Sequence, residues 1–233
     1  MHVPTPTTWL LRGASLGSAA WAASSLVRQL DEERQLHRFL RGIDSISDRR
    51  ELVALRRKLS STIAYDIERK EDPRPLLRAT AAETIASGSG FCGENARVAI
   101  LLLKIRGLRA HRLYLQGPRW GHVAVEHRWN DRWVLFDAHA DPGTMPHDEQ
   151  VGALGSDDLD EFPNAYNRNP WLRTTRLKAL LRGPRTAADN WRPPSLLVGL
   201  IERPHLLKAL TGIAGWCAMS QLAGRLAAKR PAQ

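Results

Sequence analysis

Residues 93–106 form a stretch that is apolar on nearly every side of a helix, through Val98, Ala99, Ile100, Leu101, Leu102, Leu103 and Ile105. A helix of that kind has no solvent face and must lie in the interior of whatever the chain builds around it. Gly107 follows as its natural C-terminal cap. Just before it stands Ser87-Gly88-Ser89-Gly90-Phe91-Cys92, a glycine-bracketed loop that delivers a cysteine to the start of the buried helix. A thiol reacts as its thiolate, and a helix N-terminus with an imidazole nearby favours that anion. Cys92 is therefore the first candidate for chemistry.

The segments after the helix supply the candidate partners. Residues 111–116, 122–128 and 133–137 alternate and are rich in Val, Leu, Tyr and Trp, which predicts three short antiparallel strands. The expected core is α+β, one buried helix laid on an antiparallel sheet. If Asn130-Asp131 is a two-residue turn, Trp129 pairs with Arg132, Glu126 with Leu135, Ala124 with Asp137 and His122 with His139. His122 and Asp137 then become diagonal neighbours on one face, about 7 to 8 Å apart at the backbone, with the small Ala124 between them. A three-residue turn would send Asp137 to the opposite face.

Three helices are expected upstream of Cys92. The first covers residues 15–41, with Leu16, Ala20, Ala23, Val27 and Leu30 on one face and Gly42 as a stop. The second begins at Asp48, which caps it while Glu51 reaches back, and it buries Leu52, Leu55, Leu59, Ile63 and Ile67. A third runs from Pro75 through Ile85 and ends at Gly88. Past Asp141 the chain turns acidic and loop-like, with Asp157, Asp158, Asp160 and Glu161, and then Pro- and Asn-rich to Pro170. A break over residues 183–194 precedes a C-terminal helical region. The expected organisation is an N-terminal helical extension (1–47), a catalytic core (48–165) and a basic C-terminal helical extension (166–233).

Composition narrows the functional classes. A chain of 233 residues, 43% hydrophobic and 25% charged, is long enough for one buried core and is not a disordered sequence. Its two cysteines, Cys92 and Cys217, lie 125 positions apart, which makes neither a disulfide framework nor a paired-cysteine metal motif and suits a reducing, cytoplasmic setting. Cys217 is expected to pack within a helix. Arg12 is the only charge before the uncharged stretch 13–27, so no secretory signal is expected. That stretch and the uncharged run 209–224 both fall short of the roughly 20 residues that cross a bilayer, and they are expected to pack on each other or on the core. Trp21, Trp216 and their flanking Arg and Lys residues also suit a headgroup boundary, peripheral to a membrane. Of the net charge of +10, most comes from residues 171–233, with 11 basic and 2 acidic side chains. Such a segment suits an anionic membrane surface or an acidic partner. No motif with interleaved aromatics points to a specific nucleic acid.

Four stretches together resemble the transglutaminase-like superfamily, related in its core to papain-like cysteine proteases. They are Gly-Phe-Cys-Gly-Glu-Asn-Ala at 90 to 96, Leu-Lys-Ile-Arg-Gly-Leu-Arg-Ala at 103 to 110, Gly-His-Val-Ala-Val-Glu at 121 to 126 and Trp-Val-Leu-Phe-Asp at 133 to 137. The resemblance covers residues 56–142, and Ala124 departs from it, standing where the family often has Trp. It implies Cys92 as nucleophile, His122 as general base and acid, and Asp137 as the residue that fixes the imidazole tautomer. It further implies acyl transfer from a protein or peptide amide through a thioester, with no cofactor. The alternative is a non-catalytic module of the same scaffold that docks a partner or a membrane.

Several neighbouring residues carry other expectations. The Cys92 backbone N–H is a candidate oxyanion donor, and Trp120 stands next to the site in sequence. Glu94 is expected to act on the helix dipole and Glu126 to be a satisfied strand residue. A competing metal reading draws on His122, Asp137, His139, Asp141, His147 and Asp148, whose spacing matches no ligand pattern.

Overall fold

The computed structural model describes residues 6–66, 68, 75–116, 121–138, 172–174 and 192–228. The first element, α1 (Pro6–Phe39), is nine residues longer at its start than the apolar spacing predicts, and it closes before Gly42, whose φ of 83° ends the helical path. Its facing is also the reverse of the expected one. Leu16, Val27 and Leu30 point to solvent, whereas Ser15, Ala22, Ser25 and Gln29 are buried. The reason is the partner that α1 meets, described below, which accepts only small side chains.

Helix α2 (Arg49–Thr62) starts as its sequence dictates. Asp48 accepts a hydrogen bond from the Glu51 N–H at 3.0 Å, and the Glu51 carboxylate accepts from the Asp48 N–H at 3.1 Å. Leu52, Leu55, Leu59 and Ile63 are buried, while Ile67 lies outside the described residues. A two-residue strand, β1 (Ala64–Tyr65), follows.

The helix expected from Pro75 is instead two pieces. A 3₁₀ turn covers Pro75–Leu77, and α3 (Ala81–Ser87) begins at Thr80, which forms a reciprocal capping pair with Glu83. That pair is the stronger start signal, because it satisfies two backbone donors at once. Gly88, at φ 65°, closes α3 in the left-handed conformation. Strand β2 (Ser89–Gly90) then runs parallel to β1, pairing Ala64 with Ser89 and Tyr65 with Gly90.

Helix α4 (Cys92–Ile105) is buried from Cys92 to Leu103 and packs on β3 (Ala110–Gln116) and β4 (Gly121–Trp129). Strand β5 (Arg132–Phe136) returns from β4 across Asn130 and Asp131, whose positive φ values of 44° and 62° mark the two-residue turn that matches strand twist. The register is the expected one, with Trp129 opposite Arg132 and Glu126 opposite Leu135. Strand β6 (Leu172–Thr174), which no sequence pattern announces, pairs with the far side of β3, giving the order β5-β4-β3-β6 with antiparallel neighbours.

Two further helices complete the description, α5 (Ser195–Ile201) and α6 (Pro204–Ala228). Glu202 between them receives two hydrogen bonds from Arg112 of β3, at 2.6 and 2.7 Å, and lies 3.4 Å from Arg97 of α4. All three side chains are buried, so removing the carboxylate would take a shared counter-charge from two guanidiniums in the interior. Glu126, satisfied as expected, accepts from Arg192 at 3.1 Å and contacts His111 at 3.2 Å.

Helices α1 and α6 run antiparallel, with the Ser15 and Ser220 hydroxyls 2.7 Å apart at one end and Arg203 donating to Glu33 at 3.1 Å at the other. Gly212 sits so close to α1 that a Cβ there would meet the Ala22 nitrogen and the Ser18 carbonyl at 3.0 Å. Large side chains cannot enter this seam, and so they face outward. Cys217 lies within α6 but is exposed, contrary to the packed position expected of it.

Candidate active site

The three residues singled out by sequence come together at the end of the sheet. Cys92 opens α4, held by the short parallel pair of β1 and β2 on one side and the sheet on the other. His122 is the second residue of β4, and Asp137 is the first residue beyond β5. Because the two-residue turn fixes the pairing, Asp137 falls on the face that carries His122. Its Oδ2 lies 2.7 Å from His122 Nε2. The His122 side chain also makes a hydrogen bond with Cys92, and with Nε2 committed to Asp137 this leaves Nδ1 facing the sulfur.

The electrostatics follow from that row. Burial works against a charged imidazole. The charge and hydrogen bond of Asp137, together with the hydrogen bond and negative charge of Cys92, outweigh it and raise His122 to about 10. His122 is thus an imidazolium at neutral pH, flanked by a carboxylate and a sulfur. Cys92 is 2% exposed and Asp137 1%, while the His122 side chain keeps 14%. The row is consequently shielded from water, which strengthens every charge interaction inside it.

Three neighbours that sequence reasoning missed shape the site. Arg56 of α2, fully buried, donates from Nε to the Asp137 backbone carbonyl at 2.6 Å. Its signal was present, since an arginine sits on the same helix face as Leu52, Leu55 and Leu59, where a stability argument alone would want carbon. Asn95 donates from Nδ2 to the Gly90 carbonyl at 2.9 Å and to the Phe91 carbonyl at 3.3 Å, folding the loop that presents Cys92. Tyr65 stacks on Phe91 with ring centroids 6.0 Å apart. Burial, then the negative charges of Cys92 and Asp137, push its phenol up to about 12, so it stays a neutral O–H donor beside the site. A two-residue strand has no periodicity, and nothing in the sequence marks Tyr65.

Glu94 does act at the start of α4, where its carboxylate accepts from the Phe91 N–H at 3.1 Å. The Cys92 N–H, at the first position of the same helix, is one of those that no intrahelical carbonyl accepts. Trp120, His139, Asp141, His147 and Asp148 lie outside the described residues. Among the described residues, no group of three or more His, Cys, Asp or Glu side chains is arranged to hold a metal ion.

Neither a protein-family model nor a curated protein sequence matches this chain. Among solved structures, that of a TGase aligns with 50% of the chain and 33% of its own length, at 14% identity and a TM-score of 0.40. The chain thus spans about a third of that protein. A likeness so distant leaves the case for function with the chain's own geometry, and what is established of the architecture is a mixed α and β fold.

Proposed function

We propose that this protein is a cysteine-dependent amide hydrolase or acyltransferase built on a papain/transglutaminase-like core, with Cys92 as nucleophile, His122 as general base and acid, and Asp137 as the group that orients and charges the imidazole. The observation that carries the reading is the 2.7 Å contact between His122 Nε2 and Asp137, with the same imidazole hydrogen-bonded to Cys92. Three polar groups of the right types, 30 and 15 residues apart in the chain, form one row at a helix N-terminus. A structural cysteine needs neither partner.

In this reading the sulfur attacks the carbonyl carbon of a protein or peptide amide and the carbonyl π electrons move to oxygen. The Cys92 N–H and the Tyr65 hydroxyl are the donors that meet the oxyanion. Collapse breaks the C–N bond, and the leaving amine takes the proton held by His122. The thioester on Cys92 is then attacked by water or by a second amine, which loses its proton to the now neutral imidazole, and collapse breaks the C–S bond, releasing the acid or the new amide and returning Cys92 as its thiolate beside the recharged ring. No cofactor enters the scheme.

An electrophilic amide mimic followed by peptide mapping tests the proposal. The expected adduct is on Cys92 and disappears in His122→Ala. Cys217 is the exposed thiol, so labelling there alone, with Cys92 untouched, would reverse the assignment. A second reading, a non-catalytic scaffold of the same fold, draws on the closure of Cys92 to solvent. It predicts no adduct at Cys92 even at long incubation, together with normal unfolding of the Cys92→Ala variant.

A further inference from the structure

The arm formed by α1 and α6 distributes its side chains the opposite way from a helix pair made for water. Its seam holds Ser15, Ala22 and Ser25 of α1 against Gly212 and Ala223 of α6, with the Ser15–Ser220 hydroxyl pair bridging the two. Its outside carries Leu16, Trp21 and Val27 on one helix and Ile213, Trp216 and Leu222 on the other, with Leu16 71% and Val27 67% exposed. Small residues that let backbones approach, glued by a hydroxyl pair, with large apolar side chains outside, are how helices associate in hydrocarbon. We propose that this arm binds an anionic phospholipid surface, lying within the interface rather than crossing it.

Two features choose lipid over a second copy of the chain. At 3.6 residues per turn, the seam takes up an arc of roughly 100° on α1, with exposed Leu16, Val27 and Leu30 on one flank of it and exposed Leu10 and Trp21 on the other. A partner helix would need one stripe, whereas lipid wets every side. The charges also fit. Residues 13–27 and 209–224 contain none, and because the helices are antiparallel, Arg12 lies level with Arg225 at one end of this belt and Arg28 with Lys208 at the other. Four cations thus frame an uncharged belt at both ends, as anionic phosphates require.

The belt's length sets its orientation. Fifteen residues at 1.5 Å each give about 22 Å, short of the roughly 30 Å of a bilayer's hydrocarbon core. No helix among the described residues is long and apolar enough to cross a membrane. Upright insertion would drown Arg12 and Arg225. Lying flat, about one helix diameter deep, lets all four cations reach headgroups while the leucines and tryptophans enter the acyl boundary.

Flotation of the full chain with vesicles of equal parts phosphatidylcholine and phosphatidylglycerol tests this. The protein is expected to float with the vesicles, to bind pure phosphatidylcholine more weakly, and to lose at least tenfold in partitioning in Leu16→Glu/Val27→Glu. Both positions face away from the core, and circular dichroism checks that the variant folds. Should it not fold, a polarity-sensitive dye on Cys217 in a Cys92→Ser chain decides alone, by blue-shifting and being quenched by lipids brominated in their acyl chains. Failure to float at low salt, or a dye that stays in water, would overturn the proposal. So would a dimer that dissociates in the double variant and that vesicles leave intact.

Discussion

Arg56 Nε lies 2.6 Å from the backbone carbonyl of Asp137, so the carboxylate that meets His122 is held from behind by a buried guanidinium on a different helix. The side chain of Asp137 faces the imidazole and its main chain faces Arg56. Rotation of the residue would break both contacts together. Helix α2, far from Cys92 in sequence, is in this way part of the scaffold that aims the acid.

Arg56→Met should therefore cost more than its packing. Losing a charge-assisted hydrogen bond to the buried Asp137 carbonyl lowers unfolding stability by about 1–3 kcal/mol. The expected kinetic signature is a fall in kcat with KM little changed, accompanied by a lower His122 titration point in NMR. A variant that loses stability while His122 titrates as before would assign Arg56 to structure alone.

The His122 imidazole should titrate near pH 10 and not near 6.5. Its folded value lies above the unfolded one, so the stability it contributes is complete below about pH 6.5. That stability declines above this point and is lost as pH rises through about 10. Turnover should fall over the same alkaline limb, because a neutral imidazole has no proton for the leaving amine. Asp137→Asn removes the largest force holding the proton on the ring, and it should bring the titration down towards the ordinary histidine range and cut kcat by about 10³–10⁴-fold. An unchanged titration in Asp137→Asn would detach the carboxylate from the mechanism.

Gly90→Ala should disturb the nucleophile without touching it. A Cβ at this position would lie 2.9 Å from Thr84 Cγ2 and 3.1 Å from Asn95 Nδ2, the donor that holds the Gly90 and Phe91 carbonyls. Overpacking of this kind costs about 1–3 kcal/mol, and the Asn95 hydrogen bonds are the softest way to relieve it. The measurable outcome is a lower melting temperature together with slower modification of Cys92. Normal modification kinetics would mean that the loop shape does not matter to reactivity.

Tyr65→Phe should leave the fold intact, since the ring is half exposed and its stacking on Phe91 is retained. Loss of an oxyanion donor lowers kcat by about 10²-fold or more. Unaltered turnover would remove Tyr65 from the reaction and leave the Cys92 N–H without this partner.

His127 should make the protein acid-sensitive. It is buried in the sheet against Trp129 and Phe136. Burial lowers it to about 4, partly opposed by the Arg128 backbone, and neither ring nitrogen makes a well-formed hydrogen bond. The unfolded chain takes up this proton below about pH 6.5 and the folded one only near 4, so stability drops across that window, by an amount on the order of 3 kcal/mol. His127→Phe should unfold at a lower pH than the parent in an acid titration. An identical acid midpoint would place the sensitivity elsewhere.

What the sequence makes legible is what a short-range pattern encodes. The apolar run of α4, the capping box at Asp48, the turn at Asn130-Asp131 and the register it dictates all depend on residues within one or two elements. The contact of His122 with Asp137 is then a consequence of counting. Other features depend on which element a helix eventually meets. The apolar face of α1 was expected to turn inward, yet the small residues do, because α6 presents Gly212 and leaves no room for leucine. Tyr65 enters the site only through the parallel pairing of two dipeptide strands, and β6 only through an unpatterned tripeptide. Arg56 stood in plain view on an apolar stripe, and its position on the buried face was the one available hint.

The Ser15–Ser220 pair joins positions 205 residues apart. During synthesis at about 5–20 residues per second, the first helix leaves the ribosome roughly 10 to 40 seconds before its mate exists. The arm therefore closes only after every other described element has been synthesised. Until then the nascent chain displays a serine- and alanine-lined groove on one side and bare tryptophan and leucine on the other, and a stop codon before α6 would make that unfinished state permanent.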